Sequence, residues 1–149
     1  MIAFQVVGAQ FIQAKLAAMA KFATGAVQMT GLDQCAALVT RRAKQKAPVD
    51  LGHLRSTIQP DRPNPNEADV ISHADYSIYQ EFGTGIYAEN GEGRKTPWVY
   101  FNEKTGEFVK TKGNKPHPYM RPAMDESKEE MEHILGVTVI TACHGVGIK

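Results

Sequence analysis

The sequence has little of three features that would each point to a function class: cysteine, long apolar runs and an excess of charge of one sign. Its two cysteines, Cys35 and Cys143, form no spacing pattern, so we expect a reducing compartment and no disulfide framework. No stretch approaches the roughly 18 consecutive apolar residues of a membrane span. Residues 1–20 lack the basic start and dense apolar block of a signal peptide. The formal net charge of +1 lacks the basic excess that a dedicated nucleic-acid binder usually carries.

Catalytic and metal-binding motifs are also missing from the sequence. None of the five histidines falls in HExxH spacing or beside a CxxC pair, and there is no GxSxG, Walker or GxGxxG loop. The carboxylates within residues 125–130 could be paired for acid–base chemistry, but their helical pattern puts them on an exposed face. No apolar pocket is evident there to shift a pKa. We therefore expect no enzymatic activity, no cofactor and no metal.

The composition is sufficient for one folded domain, with 149 residues of which 42% are hydrophobic and 22% charged. Apolar residues at helical spacing predict helix from about Ala9 to Lys46. Thr24-Gly25 and Thr30-Gly31 lie between two stripes that are out of phase, which predicts two helices or one broken helix. Pro48 is expected to stop the second stripe.

Short elements are predicted for the middle of the chain. Asp50 is expected to cap a turn within 47–58 that points Leu51 and Leu54 inward, and Asp75 and Gly83 are expected to begin and end a short helix. In chain order, the pattern predicts a strand at 2–7, a loop at 61–66, a strand at 69–73, the short helix at 75–83, and a hairpin of strands 96–101 and 107–111.

A C-terminal helix is predicted to have Pro122 at its first position and to end at Gly136. The β-branched residues 137–142 then favour a strand at a sheet edge or against a neighbouring subunit. The whole order predicts a single α+β domain over 1–149: an N-terminal strand and helices (1–45), a core (46–135) with a protruding hairpin (94–115), and a tail (136–149). In it, the long N-terminal helical segment and the C-terminal helix pack on a small antiparallel sheet.

Charge is unevenly distributed along the chain. Residues 1–50 carry six basic and two acidic residues, a net of +4, whereas the remainder carries 11 basic and 14 acidic, a net of −3. Subunits of this kind could pack basic side against acidic side around a ring, or the runs could be solvated helix faces. The basic run of Arg41, Arg42, Lys44 and Lys46 could also touch phosphates, although no aromatic residues are interleaved with it.

Three segments, taken in order, resemble the HK97 gp10-like phage proteins. Residues 46–58 (KAPVDLGHLRSTI) are similar to the family signature K-A-P-V-D-T-G-x-L-R-x-S-I, with Leu51 in place of the usual Thr and Thr57 in place of the usual Ser. Residues 74–85 (ADYSIYQEFGTG) resemble Y-A-x-Y-V-E-F-G-T-G, and residues 115–123 (KPHPYMRPA) resemble P-x-P-F-L-R-P-A. The hairpin start at 96–100 also looks like members from phages of Gram-positive hosts. Together the three segments cover roughly residues 40–135.

The resemblance implies a non-enzymatic structural protein of a tailed phage or prophage, present in the host cytoplasm during assembly and then at the neck or tail of the virion. It implies a ring, sixfold or twelvefold, for tail completion or head–tail joining, with partners among head-closure or connector, tail terminator and tail-tube proteins. DNA contact through the lumen is compatible with this role, and a membrane is not. The alternatives are a DNA-contacting accessory protein and a minor tail-tube component. The motif residues to which the resemblance gives a structural role are Pro48, Asp50, Gly52, Leu54, Arg55, Tyr76, Tyr79, Glu81, Phe82, Gly83, Pro116, Pro118, Arg121 and Pro122.

Several of these residues can be given physical roles. Glu81 and Arg55 are candidates for a charge-assisted pair that joins the first two motifs. An aromatic face of residues 76–82 could be core or subunit contact, and the polar hairpin 94–115 could be an arm that reaches a neighbour or a plain solvent loop. The candidate subunit contacts are Trp98, Tyr100, Phe101, Arg41, Arg42, Glu129 and Glu130.

Overall fold

Helices form both ends of the described chain, and two β-hairpins lie between them. The structure, a computed structural model, describes residues 9–49, 52–103 and 105–145. The predicted strand at 2–7 and the expected cap Asp50 therefore lie outside the described residues. The elements are α1 (Ala9–Ala26), a π-helical segment (Val27–Gly31), α2 (Leu32–Lys46), α3 (His53–Thr57), β1 (Ile58–Asn64), β2 (Glu67–Ser72), α4 (Ser77–Phe82), a 3₁₀ turn (Gly85–Tyr87), β3 (Trp98–Asn102), β4 (Glu107–Thr111) and α5 (Met120–Gly145).

The N-terminal helical run is interrupted where the apolar stripe changes phase, which confirms the prediction of a broken helix. The interruption is the π-helical segment, and the hydroxyl of Thr30 donates a hydrogen bond to the carbonyl of Ala26 over 2.9 Å at this point. Such hydroxyl-to-backbone bonds commonly bend helices. As expected from Pro48, α2 ends at Lys46, with a last helical bond from the amide of Ala47 to the carbonyl of Ala43 (2.8 Å).

The proline-containing segment 61–66 was predicted as a loop, and this prediction is wrong for its first part. Residues 58–64 form β1, which pairs with β2 in a two-stranded sheet. Prolines are tolerated in such a sheet because each strand has a free edge where no amide is needed. Arg62 on β1 holds the hairpin end, since its guanidinium lies 2.5 Å from the carboxylate of Asp33 and 2.9 Å from the carbonyl of Pro65.

The second hairpin agrees with its sequence-based prediction. Strands β3 and β4 pair antiparallel, with Trp98 opposite Thr111 and Phe101 opposite Phe108. The turn between the strands is closed by a hydrogen bond from the amide of Gly106 to the carbonyl of Asn102 (2.8 Å).

The C-terminal helix is longer than predicted, because α5 continues through Gly136 to Gly145. The expected strand at 137–142 is therefore helical. Packing explains the difference: Gly31 comes so close that an added Cβ would lie 3.1 Å from Leu135 Cδ2 and 3.6 Å from Thr138. Such tertiary contacts on either side of Gly136 outweigh a local cost of about 1 kcal/mol for glycine in a helix. Pro122 occupies the third helical position instead of the first, still within the turn whose amides need no helical partner.

The fold class is α+β, as predicted, and the described residues form two separate two-stranded sheets in place of one. The described residues divide into two compact units: unit 1 contains those within 1–38, 60–69 and 128–149, and unit 2 contains those within 39–59 and 70–127. Unit 1 buries Cys35, Ala36 and Leu38. Unit 2 buries the larger set of apolar residues, namely Val39, Ala43, Ala47, Leu54, Ile58, Ala74, Tyr119 and Ala123.

Candidate interaction surface

All three sequence motifs lie in unit 2 and contribute to its core. The first supplies the buried Leu54, from a short helix that begins after Gly52 in the left-handed conformation (φ 79°). The first and second motifs meet where the rings of His53 and Tyr76 lie 6.1 Å apart. The third motif supplies Tyr119, which is 1% exposed. The motifs are therefore the framework of one structural unit.

The carboxylate of Glu81 joins the second motif to the third by capping α5. Its Oε2 accepts hydrogen bonds from the amides of Tyr119 (2.8 Å) and Met120 (2.9 Å), and its Oε1 accepts one from the amide of Arg121 (3.1 Å). These amides lie at the start of a helix, where backbone donors have no helical partner and negative charge is favoured. Glu81 therefore acts as the N-cap of α5, although it lies 38 residues before Tyr119 in the sequence.

The guanidinium of Arg121 extends this junction. Its Nε donates to Glu81 Oε1 (3.0 Å), and its two terminal nitrogens donate to the carboxylate of Glu89 at 2.8 and 3.0 Å. It also lies 4.7 Å above the ring of Phe82. The partner expected for Glu81 was Arg55, and this expectation is wrong: the carboxylate is occupied by Arg121 and the helix amides, while Arg55 is exposed on α3.

The ionisation of this junction follows from its contacts. Burial alone would raise the pKa of Glu81, but the hydrogen bonds from the three helix amides and from Arg121 outweigh it and hold the pKa below its ordinary value. The hydrogen bond from Arg121 likewise lowers the pKa of Glu89, and the bonds to Glu89 and Glu81 raise that of Arg121. The contacts that shift these pKa values stabilise the charged forms of the three side chains and also hold the fold, which indicates a structural cluster.

The G-T-G sequence after α4 (residues 83–85) makes a close crossing with residues 112–116. The amide of Thr84 donates to the carbonyl of Asn114 (2.9 Å) and that of Ile86 to the carbonyl of Lys112 (3.0 Å). Gly83 and Gly85 have φ of 75° and 62°, and a Cβ on Gly85 would lie 2.0 Å from the Lys112 carbonyl oxygen. Only glycine fits there. Gly83 ends α4 as predicted, whereas the N-cap of α4 is Tyr76 without a side-chain bond, so the expected cap at Asp75 is wrong.

The aromatic face of α4 points outward. Tyr76, Tyr79 and Phe82 are 44%, 59% and 42% exposed, and Ile78 beside them is 57% exposed. The sequence left open whether this aromatic face belongs to the core or to a subunit contact. Its exposure shows that the face is not fully buried within this subunit. An exposed apolar cluster of this kind is typical of an interaction site.

A groove of about 660 Å³ opens beside this face. Tyr79 and Phe82 of α4, the glycine crossing and Trp98 at the start of β3 line most of it. Arg94 and Glu92 supply charge to the lining, and the Arg94 guanidinium lies 5.5 Å from the Trp98 ring. Glu81 and Glu89, the carboxylates whose pKa is displaced, are not among the lining residues. The groove is thus an apolar recess with charge at few positions.

The β3–β4 hairpin is exposed, as expected, but it is less polar than its composition indicated. Phe101 and Phe108 lie directly opposite each other with ring centroids 5.3 Å apart, and Phe108 remains 76% exposed. Val99 and Tyr100 are also exposed, while Trp98 is half-buried against the groove. Because side chains alternate along a strand, Val99, Phe101 and Phe108 share one face of the hairpin.

The charged residues named as subunit contacts, and Lys46 near them, have different roles in the structure. Arg42 donates to the Glu126 carbonyl (2.6 Å), and Lys46 pairs with the Glu126 carboxylate (2.6 Å). Part of the charge asymmetry is therefore used inside the subunit. Arg41 is exposed on α2. Glu129 and Glu130 are exposed on α5 in unit 1.

Some residues of the site gave no signal in the sequence. Glu89 lies in a loop outside all three motifs, and Phe108 was hidden in a segment read as polar. Pro116 could be recognised as a motif residue. Its ring packs closely against Gly83, since an added Cβ on Gly83 would lie 2.9 Å from Pro116 Cδ. Pro118 is exposed in the connector before α5. Within the described ranges, no three His, Cys, Asp or Glu side chains are grouped to hold a metal ion, and no helix is long and apolar enough to span a membrane.

These features define a class: a small α+β subunit whose charged residues hold its framework and whose apolar residues are displayed on its surface. Residues 10–83 match the family model described as "Bacteriophage HK97-gp10, putative tail-component", and the matched region belongs to that family. This confirms the resemblance found from the motifs, and the description of the family indicates a structural component of the phage tail, a part of the virion that contacts other virion proteins. No curated protein and no solved structure matches the chain.

The family match and the motif resemblance cover different parts of the chain. The resemblance was expected over roughly residues 40–135, whereas the match begins at residue 10 and ends at residue 83. The match contains the first motif and the second as far as Gly83. The third motif lies beyond it and is joined to it by the contacts of Glu81 with residues 119–121.

Proposed function

We propose that this protein is a ring-forming, non-enzymatic neck component of a tailed phage that completes the tail or joins it to the head. The observation that carries the proposal is the exposed aromatic surface of unit 2, formed by the α4 face, the groove and the hairpin. Apart from the half-buried Trp98, its aromatic side chains are 42–76% exposed in the isolated chain. An exposed apolar surface of this extent favours association with other protein chains.

The division of roles among the motif residues supports the proposal. Glu81, Arg121 and the glycines of the crossing have their interactions satisfied within the subunit. The aromatic residues that alternate with them, Tyr79 and Phe82, remain open to contacts. A subunit built in this way presents its interaction surface on a fixed framework, which lowers the entropy lost on assembly.

The alternative of a DNA-contacting accessory protein has less support. Two of the four residues in the basic run, Arg42 and Lys46, bind Glu126 within the subunit. Phosphate contacts would require these cations to exchange an existing partner for the nucleic acid. A steeply salt-dependent DNA shift, lost on replacing Arg41 and Lys44, would favour that alternative.

Native mass spectrometry of the purified protein tests the ring, with negative-stain imaging of the particles. We expect a single closed oligomer of six or twelve subunits that adds to the end of purified tails or connectors. A protein that stays strictly monomeric at micromolar concentration, and that binds neither tails nor connectors, would contradict the proposal.

A further inference from the structure

We propose that the tip of the β3–β4 hairpin of one copy of this chain inserts into the apolar groove of the next copy. The tip is defined as Val99, Phe101 and Phe108, and the groove is the recess lined by Tyr79, Phe82 and Trp98. This inference rests on the proposed function and deepens it, because it names the two surfaces through which the ring would close.

The first argument is that the tip cannot fill the groove of its own chain. Trp98 lines the groove and begins β3, and Phe101 is three residues further along the same strand. An extended strand advances about 3.3 Å per residue, so the ring of Phe101 is carried about 10 Å away. Returning it would break the pairing with β4. The tip can therefore enter only the groove of another molecule.

The second argument is size. A cavity of about 150 Å³ accepts one benzene ring. The groove holds about 660 Å³, enough for the Phe101–Phe108 pair together with Val99. The two rings already lie edge to face at 5.3 Å, so they would enter as one preformed group with little loss of side-chain freedom.

The third argument is charge. Lys110 pairs with Val99 and so shares the face of the tip, whereas Glu107 lies on the other face of the hairpin. The groove is lined by Glu92 and Arg94, so the ammonium of Lys110 in one copy can face the carboxylate of Glu92 in the next. Such rim charges fix the orientation of docking more than they raise affinity.

The geometry of this contact has a consequence for assembly. The tip and the groove are different surfaces of one chain, so the contact is head to tail, and it closes into a ring when the rotation between copies permits. The inserted rings would act as an anchor for the contact. Each aromatic side chain has about 150–250 Å² of surface, of which roughly half is exposed here and could be buried. This area is less than the about 800 Å² that each partner buries in a standard interface. Further contacts must surround it.

Two variants and a matched control test the inference. Phe101→Ser/Phe108→Ser removes the tip, and Tyr79→Asp puts a charge into the groove. Met29→Ser removes a side chain in unit 1 that is 76% exposed, the same fraction as Phe108. All are at exposed positions, and thermal unfolding midpoints should stay near that of the wild type. Oligomeric state is measured by native mass spectrometry.

We expect the tip variant and the groove variant to be monomers, with association at least about 30-fold weaker, the effect of losing a hot-spot side chain. The Met29→Ser control should form the wild-type ring. An equimolar mixture of the two defective variants retains one intact tip and one intact groove per pair, so it should form dimers and stop there. A mixture that stays monomeric would overturn the inference.

Fluorescence gives a second readout, because Trp98 is the single tryptophan and lines the groove. Its emission should shift to shorter wavelength on assembly of the wild type and in the mixed dimer. If the wild type forms rings and the tip variant forms them equally well, only the inference fails. If the wild type is monomeric, the proposed function fails with it.

Discussion

The start of α5 and the β3–β4 hairpin differ in how far their side chains are satisfied within the subunit. At the first, Glu81 is 5% exposed and both of its carboxylate oxygens are occupied by amides and by Arg121. In the second, the strands are paired but Phe108 is 76% exposed. In this pair of regions the charged groups interact within the subunit and hold its framework, whereas the apolar side chains remain exposed and available for contacts with other chains.

The largest effect on stability is expected from removing the carboxylate of Glu81. Glu81→Ala leaves three amides without their acceptor, so we expect the free energy of unfolding to fall by about 3 kcal/mol. Urea unfolding followed by circular dichroism measures it. Glu81→Gln keeps the shape and one acceptor and should lose less. A loss below 1 kcal/mol for Glu81→Ala would show that the cap is not central to the framework.

The glycine crossing should be the next most sensitive feature. In Gly85→Ala the new Cβ would lie 2.0 Å from the Lys112 carbonyl oxygen, on a residue with positive φ, so we expect a loss of about 2 kcal/mol or more. Gly91→Ala is the matched control, because Gly91 also has positive φ (70°) but open space around its Cβ position. Equal losses in the two variants would mean that backbone strain alone, and not the close approach, matters at Gly85.

Acid should weaken the framework through Glu81. Because the pKa of Glu81 is lower in the folded chain than its ordinary value, its stabilisation is fully present above that ordinary value and is lost as pH falls through the folded pKa. The difference in unfolding free energy between wild type and Glu81→Gln should therefore be largest near pH 7 and shrink below about pH 4.5. A difference independent of pH would contradict the assignment.

The smallest effect is expected at the Lys46–Glu126 pair. Its side chains are 31% and 56% exposed, so Lys46→Ala should change the unfolding free energy by about 0.5 kcal/mol or less. Thermal unfolding at low and high salt measures the change. A loss comparable to that of Glu81→Ala would remove the contrast between surface and buried charge on which the comparison depends.

The elements that local pattern determines could be predicted from the sequence. The phase change near Gly31 predicted the broken helix, Pro48 predicted its end, and two strand-like segments joined by a glycine-containing loop predicted the β3–β4 hairpin. The three motifs also identified the residues of the framework. These predictions succeed because helix periodicity, proline geometry and turn composition act over a few residues.

The parts that failed depend on contacts distant in sequence. Gly136 reads as a helix end, yet neighbouring residues of α5 pack against Gly31 and the helix continues. Arg121 lies 40 residues from Glu81, and an arginine at 55 was an equally plausible partner before the fold was known. The β1 strand was missed because Pro60 and Pro63 usually indicate a loop. No local signal decides such cases.

Hydrogen exchange of the assembled protein against a diluted, dissociated sample tests most directly the claim that the exposed aromatic surface mediates assembly. The account predicts that exchange slows on assembly in peptides covering 77–94 and 98–111 and stays unchanged in peptides covering 13–26. Protection confined to 13–26, with the hairpin and the α4 face unaffected, would contradict it.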